Sequence, residues 1–338
     1  MIFPQNSSSN RYDDVSLSIN RYIAPIVLCF GTVGNTLNIF LLSQRTLRTN
    51  SCAWLFLTSS ISNLVCIMFG MITRIGDGWN FDLTRTNRLL CQLRVFLVFS
   101  SRTIGFWLIA LATIDRWLLS SIDANYRKKS SLKNAQKGVI IITCISIILY
   151  AQVFYCYDAN LLTAPLRCYS RTMECRLAND LIYVLMTIMI PLTATLVFGL
   201  KTISNVRQSQ RRIRHLAVQN LSQTPTLSSA DNPQNRLKKK TDRQMRQALF
   251  VQVIILIILA FPQAIQKIYT TATEYRYSDT YSDNRSFDTL IYNCSVTLSF
   301  LASGMPFYIY TLCGGDIFRN ALYELFQTVK TKIAHVIE

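Results

Sequence analysis

Seven predominantly apolar stretches recur along the chain, over Tyr22–Leu42, Cys52–Thr73, Leu89–Ile114, Gly138–Tyr157, Leu181–Leu200, Ala248–Ile265 and Thr289–Leu312. Each is close to the roughly 20 residues that a helix rising 1.5 Å per residue needs to cross a hydrocarbon core about 30 Å thick. Lipid offers no partner to a bare backbone, and ten-residue strands of alternating polarity are not seen, so the pattern predicts seven membrane-spanning helices. Only the third stretch carries charge, at Arg94 and Arg102.

Half of the 338 residues are hydrophobic and only 16% are charged, a balance unlike that of a soluble domain. The loops then set the orientation, because short cytoplasmic loops carry excess Lys and Arg. Arg45 and Arg48 follow the first stretch with no acid. Six bases, from Arg116 to Lys137, stand against Asp115 and Asp123 after the third, and eleven, from Lys201 to Arg246, against Asp231 and Asp242 after the fifth. The other three loops are nearly balanced. This predicts a multi-pass plasma-membrane protein with its amino terminus outside and its carboxyl terminus inside. The net charge of +17 is thereby a topology signal, and no nucleic-acid partner is expected. No cleavable signal is evident, since the first twenty residues are polar and the first apolar stretch is long enough to span. Glycosylation sequons at Asn6 and Asn284 fall on the predicted outer side, whereas matches at Asn220 and Asn293 fall in an inner loop and in a span. The predicted organisation is an extracellular tail over 1–21, a bundle over 22–312 with a flexible cytoplasmic loop at about 205–242, and a cytoplasmic segment over 313–338.

Chemistry is sparse. With only His215 and His335, and almost no acids inside the spans, no catalytic centre, metal site or cofactor is predicted, and the repeated halves of a transporter are not visible. Cys91, Cys168 and Cys175 lie on the outer side, where disulfides persist. Cys168 is the preferred partner of Cys91, because Cys175 stands close to the fifth helix and has less reach; the alternative is three free thiols. Arg94, Val98 and Arg102 are spaced by four and share one helix stripe with Cys91 and Arg116. Arg102, about 21 Å along the helix from Arg116, either snorkels to the outer interface, has a structural partner, or joins Arg74, Arg94 and Lys267 in a basic pocket for an acidic ligand. Val98 and Gln263 complete the candidate lining.

Gly34-Asn35, Cys91, Asp115-Arg116-Trp117, Pro191 and Pro262, and then Phe318-Arg319 with Leu322, stand in an order and at spacings that resemble the rhodopsin-like (class A) family of G-protein-coupled receptors. The resemblance covers most of the chain. It implies an all-α seven-helix bundle with a short amphipathic cytoplasmic helix after the seventh span. It also implies an extracellular ligand, a heterotrimeric G protein, and arrestin and a receptor kinase as further partners. Cys168-Tyr169 and Asn179-Asp180-Leu181 look most like invertebrate FMRFamide-like neuropeptide receptors, which points to a peptide ligand.

Carried onto this sequence, the family's core motifs fall on Asn35, Asn63, Pro191, Pro262, Pro306, Tyr308 and Tyr310. Its coupling residues fall on Asp115 and Arg116, with Asp242 as the acid that pairs with Arg116 in the resting state, the alternative being an ordinary surface contact. There are departures. Asn63 replaces an aspartate, Gly105 a serine and Met305 an asparagine, which removes the carboxylate of the family's sodium site. Ala260 replaces a tryptophan and Ile309 a tyrosine, so a weakly coupling or constitutively active receptor is the alternative. With no lysine between Thr289 and Leu312 and with Val98 in place of an aspartate, neither retinal nor an amine is expected.

Overall fold

The structure, a computed structural model, describes residues 7–161, 167–220, 233–276 and 285–313, together with 322, 323 and 327. Among these, six helices have the length and apolarity to cross a membrane: Arg11–Leu42, Ser51–Gly78, Arg88–Ser120, Leu132–Cys156, Met173–Ser209 and Leu249–Thr273, here helices one to six. Polar residues start several of them. Asn50 accepts from the amides of Cys52 and Ala53 ahead of helix two, and Asn87 from those of Leu89 and Leu90 ahead of helix three. Ser131 and Thr172 do the same for helices four and five. Each cap satisfies amides that the first turn would otherwise leave bare.

Helix seven runs over Arg285–Gly304, breaks at Met305 and resumes over Pro306–Cys313. It is the least apolar span because its inner face is polar: Asn293, Ser295, Thr297, Ser299 and Ser303 are all buried. Helices one and seven touch backbone to backbone. A Cβ on Gly304 would lie 2.9 Å from the Cα of Gly31, and one on Gly34 would lie 3.1 Å from the carbonyl of Gly304. Small residues allow that approach, and Asn35 then bridges it, donating from Nδ2 to the carbonyls of Gly31 at 2.8 Å and Ser303 at 3.1 Å.

Helix three is the central pillar, with 61% of its apolar window buried against 22% for helix four, which lies at the rim. Helix four turns Ile140, Ile141, Ile145 and Ile148 outward, an apolar wall suited to lipid and not to water. Its regular part ends at Tyr150, earlier than the hydrophobic pattern predicts. A short turn over Val153–Cys156 then leads into a two-stranded antiparallel hairpin, Tyr157–Asp158 with Tyr169–Ser170. Helix five widens into π turns over Tyr183–Met189, just before Pro191. Proline lacks an amide hydrogen and its ring crowds the carbonyl four residues back, which the wider turn relieves. Helix one begins before Arg11, over Ser7–Ser18, and there packs Tyr12 against Phe287 of helix seven with ring centres 5.4 Å apart.

Candidate functional site

At one end of the bundle the hairpin is pinned twice, by Cys91–Cys168 and by Cys156–Cys175. The first bond is the expected one. The second supplies a partner for Cys175 that the hydrophobic pattern concealed, because Cys156 reads as part of the fourth span. Asp158 faces Arg171 at 3.5 Å and Arg88 at 3.7 Å, tying the hairpin to the neck of helix three. Burial pushes the phenols of Tyr157 and Tyr169 up; Asp180 adds to the rise at Tyr157, and Arg176 opposes it at Tyr169. The hairpin therefore presents neutral aromatic groups to the bundle.

Beneath it, the interior is basic. Arg102 is 1% exposed, and its guanidinium stays within the bundle instead of reaching the membrane surface. Its Nη1 donates to Tyr183 Oη at 3.0 Å, Gln263 Oε1 at 2.8 Å and Ser299 Oγ at 2.6 Å, so one nitrogen of helix three meets helices five, six and seven. The Phe300 ring lies 4.2 Å from the guanidinium carbon. Arg74, also buried, donates to Asn293 at 2.7 Å and Asn20 at 3.3 Å. Arg94 pairs with Asp82 at 3.8 Å and donates to Thr84 at 3.2 Å. Lys267 pairs with Asp180, which also accepts from Thr271 at 2.7 Å. Val98 packs with Cys66, Ile67 and Phe300 between helices two, three and seven.

At the opposite end, Asp115 accepts from Ser51 at 2.8 Å, Ser130 at 2.6 Å and Arg116 at 3.0 Å, while Arg116 also donates to Asn50 at 3.1 Å. The pair is buried, at 6% and 4% exposure, and thus differs from a solvated charge pair at a helix end. Asp242 belongs to the helix Pro233–Arg276, but its side chain lies outside the described residues, as do Asn6, Asn284, Phe318 and Arg319.

The core motif positions divide by face. Tyr308 stacks on Phe30 of helix one, with centroids 4.0 Å apart, whereas Tyr310 points inward, 1% exposed, and donates to Gln252 Oε1 at 2.6 Å. Tyr310 is thus the inner tyrosine beside Ile309. Asn63 Oδ1 would lie 2.7 Å from a Cβ on Gly105, so the missing side chain leaves room that the amide fills. Pro262 lies inside helix six and Pro306 opens the last segment of helix seven. Sequence reasoning missed Tyr183, Ser299, Phe300 and Asp180. The available signal was polar residues recurring within apolar runs, which in a membrane usually face a cavity or partner.

A family model described as 7 transmembrane receptor (rhodopsin family) matches residues 34–313. Among solved structures, squid rhodopsin superposes with a TM-score of 0.72 at 15% identity, covering 94% of this chain and 87% of that one. At that identity the likeness is one of fold. No curated protein matches.

Proposed function

The chain belongs to the rhodopsin family of seven-transmembrane receptors, and on that premise we propose that it is a plasma-membrane receptor that takes a peptide at its disulfide-pinned mouth and activates a heterotrimeric G protein at its Asp115–Arg116 end. The observation that carries this reading is the buried, hydrogen-bonded Asp115–Arg116 pair at the end of the central helix away from the disulfides. The excess of basic residues in the loops at that end supports its being cytoplasmic. A ligand that binds the open arrangement better than the closed one shifts the population, and the G protein is linked reciprocally to the same equilibrium.

The hairpin and loop residues that resemble FMRFamide-like neuropeptide receptors support a peptide ligand, and the absence of a lysine in helix seven speaks against a bound chromophore. Ala260, wholly buried where a large ring would be expected, favours a second reading, a receptor that couples weakly or without ligand. Screening peptide libraries on cells that express the receptor with promiscuous G proteins tests the proposal. A saturable second-messenger response is expected from some peptide. Silence across the libraries at confirmed surface expression would reject it, and a high basal signal unaffected by any peptide would favour the second reading.

A further inference from the structure

We propose that Arg102 is the docking point for a carboxylate carried by the ligand, so that the receptor recognises an acidic molecule. The inference rests on the receptor reading above and names the chemistry its pocket requires. Arg102 sits in the outer half of helix three with 1% exposure, and an arginine inside a span is costly unless it faces a cavity or a partner. Among the described residues no acid lies within 4.0 Å of it, and its three acceptors are neutral oxygens. All three are held by Nη1. Nε and Nη2, both buried, have no oxygen acceptor, and the nearby group of helix two is the Cys66 thiol, a weak acceptor. These two nitrogens form the side edge of the guanidinium, the edge whose two parallel N–H bonds match the two oxygens of one carboxylate.

Two described acids at this end of the bundle already pair with other bases. Asp82 faces Arg94, and Asp180 holds Lys267 and lies 4.0 Å from Arg176. Arg74 on helix two is likewise buried and bonded to amide oxygens of Asn20 and Asn293. Cation–π contacts of Arg102 with Phe300 and of Arg74 with Tyr292 offset part of the cost without supplying negative charge. Among the described residues Arg102 thus lies without a carboxylate beside Tyr183, whose ring packs on Phe99, as Phe99 does on Tyr150. That combination suits an acid borne on an apolar or aromatic group. Because Nη1 ties helix three to helices five, six and seven, an anion that draws the guanidinium toward itself competes with those bonds. Docking and rearrangement of the bundle are then one linked equilibrium.

The test uses the full-length receptor purified in detergent, with hydrocinnamate and its uncharged amide as probes and sodium chloride balancing the ionic strength. Thermal unfolding is followed across millimolar concentrations of each probe. Hydrocinnamate should raise the unfolding temperature saturably and the amide should not. Arg102→Lys, which keeps the charge but loses the fork, should raise the half-saturating concentration of hydrocinnamate by about tenfold or more. If acid and amide act alike, or neither acts on the wild type, Arg102 is an internal strut and the proposal is wrong; these arms need no variant to fold. Stabilisation by chloride alone, equal to that by hydrocinnamate, would mark an inorganic anion site and would also overturn it. No arm depends on G-protein coupling, so a receptor that binds acids yet never signals would contradict the receptor reading and leave this one standing.

Discussion

Asp180→Asn keeps the shape of a side chain whose charge the bundle needs. The carboxylate is 7% exposed, accepts from Lys267 and from Thr271 at 2.7 Å, and lies 4.0 Å from Arg176. Lys267 cannot easily follow its lost partner into water, because its ammonium is packed 5.2 Å from the Tyr183 ring centre and 5.4 Å from that of Phe99. Removing one member of a buried pair strands the other and typically costs about 3–5 kcal/mol. With about 2–4 °C of midpoint per kcal/mol, the range for domains of about 150–250 residues, the expected loss is at most roughly 6–20 °C. Asp158→Asn is the control. Its partners Arg88 and Arg171 are about half exposed, at 55% and 46%, so that pairing contributes up to about 1 kcal/mol and its loss a few degrees. Unfolding of the purified receptor can be followed by the reaction of a fluorogenic thiol reagent with the buried Cys52 and Cys66. Equal midpoint shifts for the two variants would refute the assignment of Asp180 as the acid that neutralises this pocket.

Cys156→Ser and Cys175→Ser should behave alike, each opening a ring of sequence separation 19 at a cost of about 3 kcal/mol. Non-reducing peptide mapping of the wild type should find only the Cys91–Cys168 and Cys156–Cys175 links, and any Cys91–Cys175 peptide would contradict the hairpin. Gly304→Val places a branched side chain against the backbone of Gly31, where even a Cβ would lie at 2.9 Å, so surface expression should collapse; normal expression would mean that helices one and seven are not in contact there. Agonist affinity should be the same in sodium as in a large organic cation at equal ionic strength, because Asn63, Gly105 and Met305 supply no carboxylate to a core cation. A large sodium-specific change would oppose that.

The spans were readable because lipid imposes one rule on every residue of a crossing, and twenty apolar positions in a row satisfy it visibly. Where a second rule overrides the first, the pattern misleads. Cys156 is apolar enough to pass as span, yet it ends the turn that leads into the hairpin and is tied there by its disulfide. Met305 sits at a helix break that a run of hydrophobicity does not register, although Pro306 beside it is the cause. Arg102 was visible as an anomaly on helix three. Of its partners only Gln263 is among the candidate lining residues; Tyr183 and Ser299 lie 81 and 197 residues away along the chain and no spacing rule connects them. The same holds at the other end, where Asp115 is bonded by Ser51, the first residue of helix two, and by Ser130 in a loop, two small polar residues that carry no signal of their own.

The central claim, that the Asp115–Arg116 end drives a G protein, is tested most directly by basal guanine-nucleotide exchange. The purified receptor is placed in lipid nanodiscs with purified heterotrimers, and the wild type is compared with Arg116→Ala and Asp242→Ala at equal receptor amounts. If Asp242 pairs with Arg116 only in the closed state, its removal subtracts on the order of 1 kcal/mol from that state, so exchange should rise about fivefold. Arg116→Ala should lower exchange below the wild type while leaving binding at the mouth intact. Exchange that is indistinguishable among the three proteins would contradict the account.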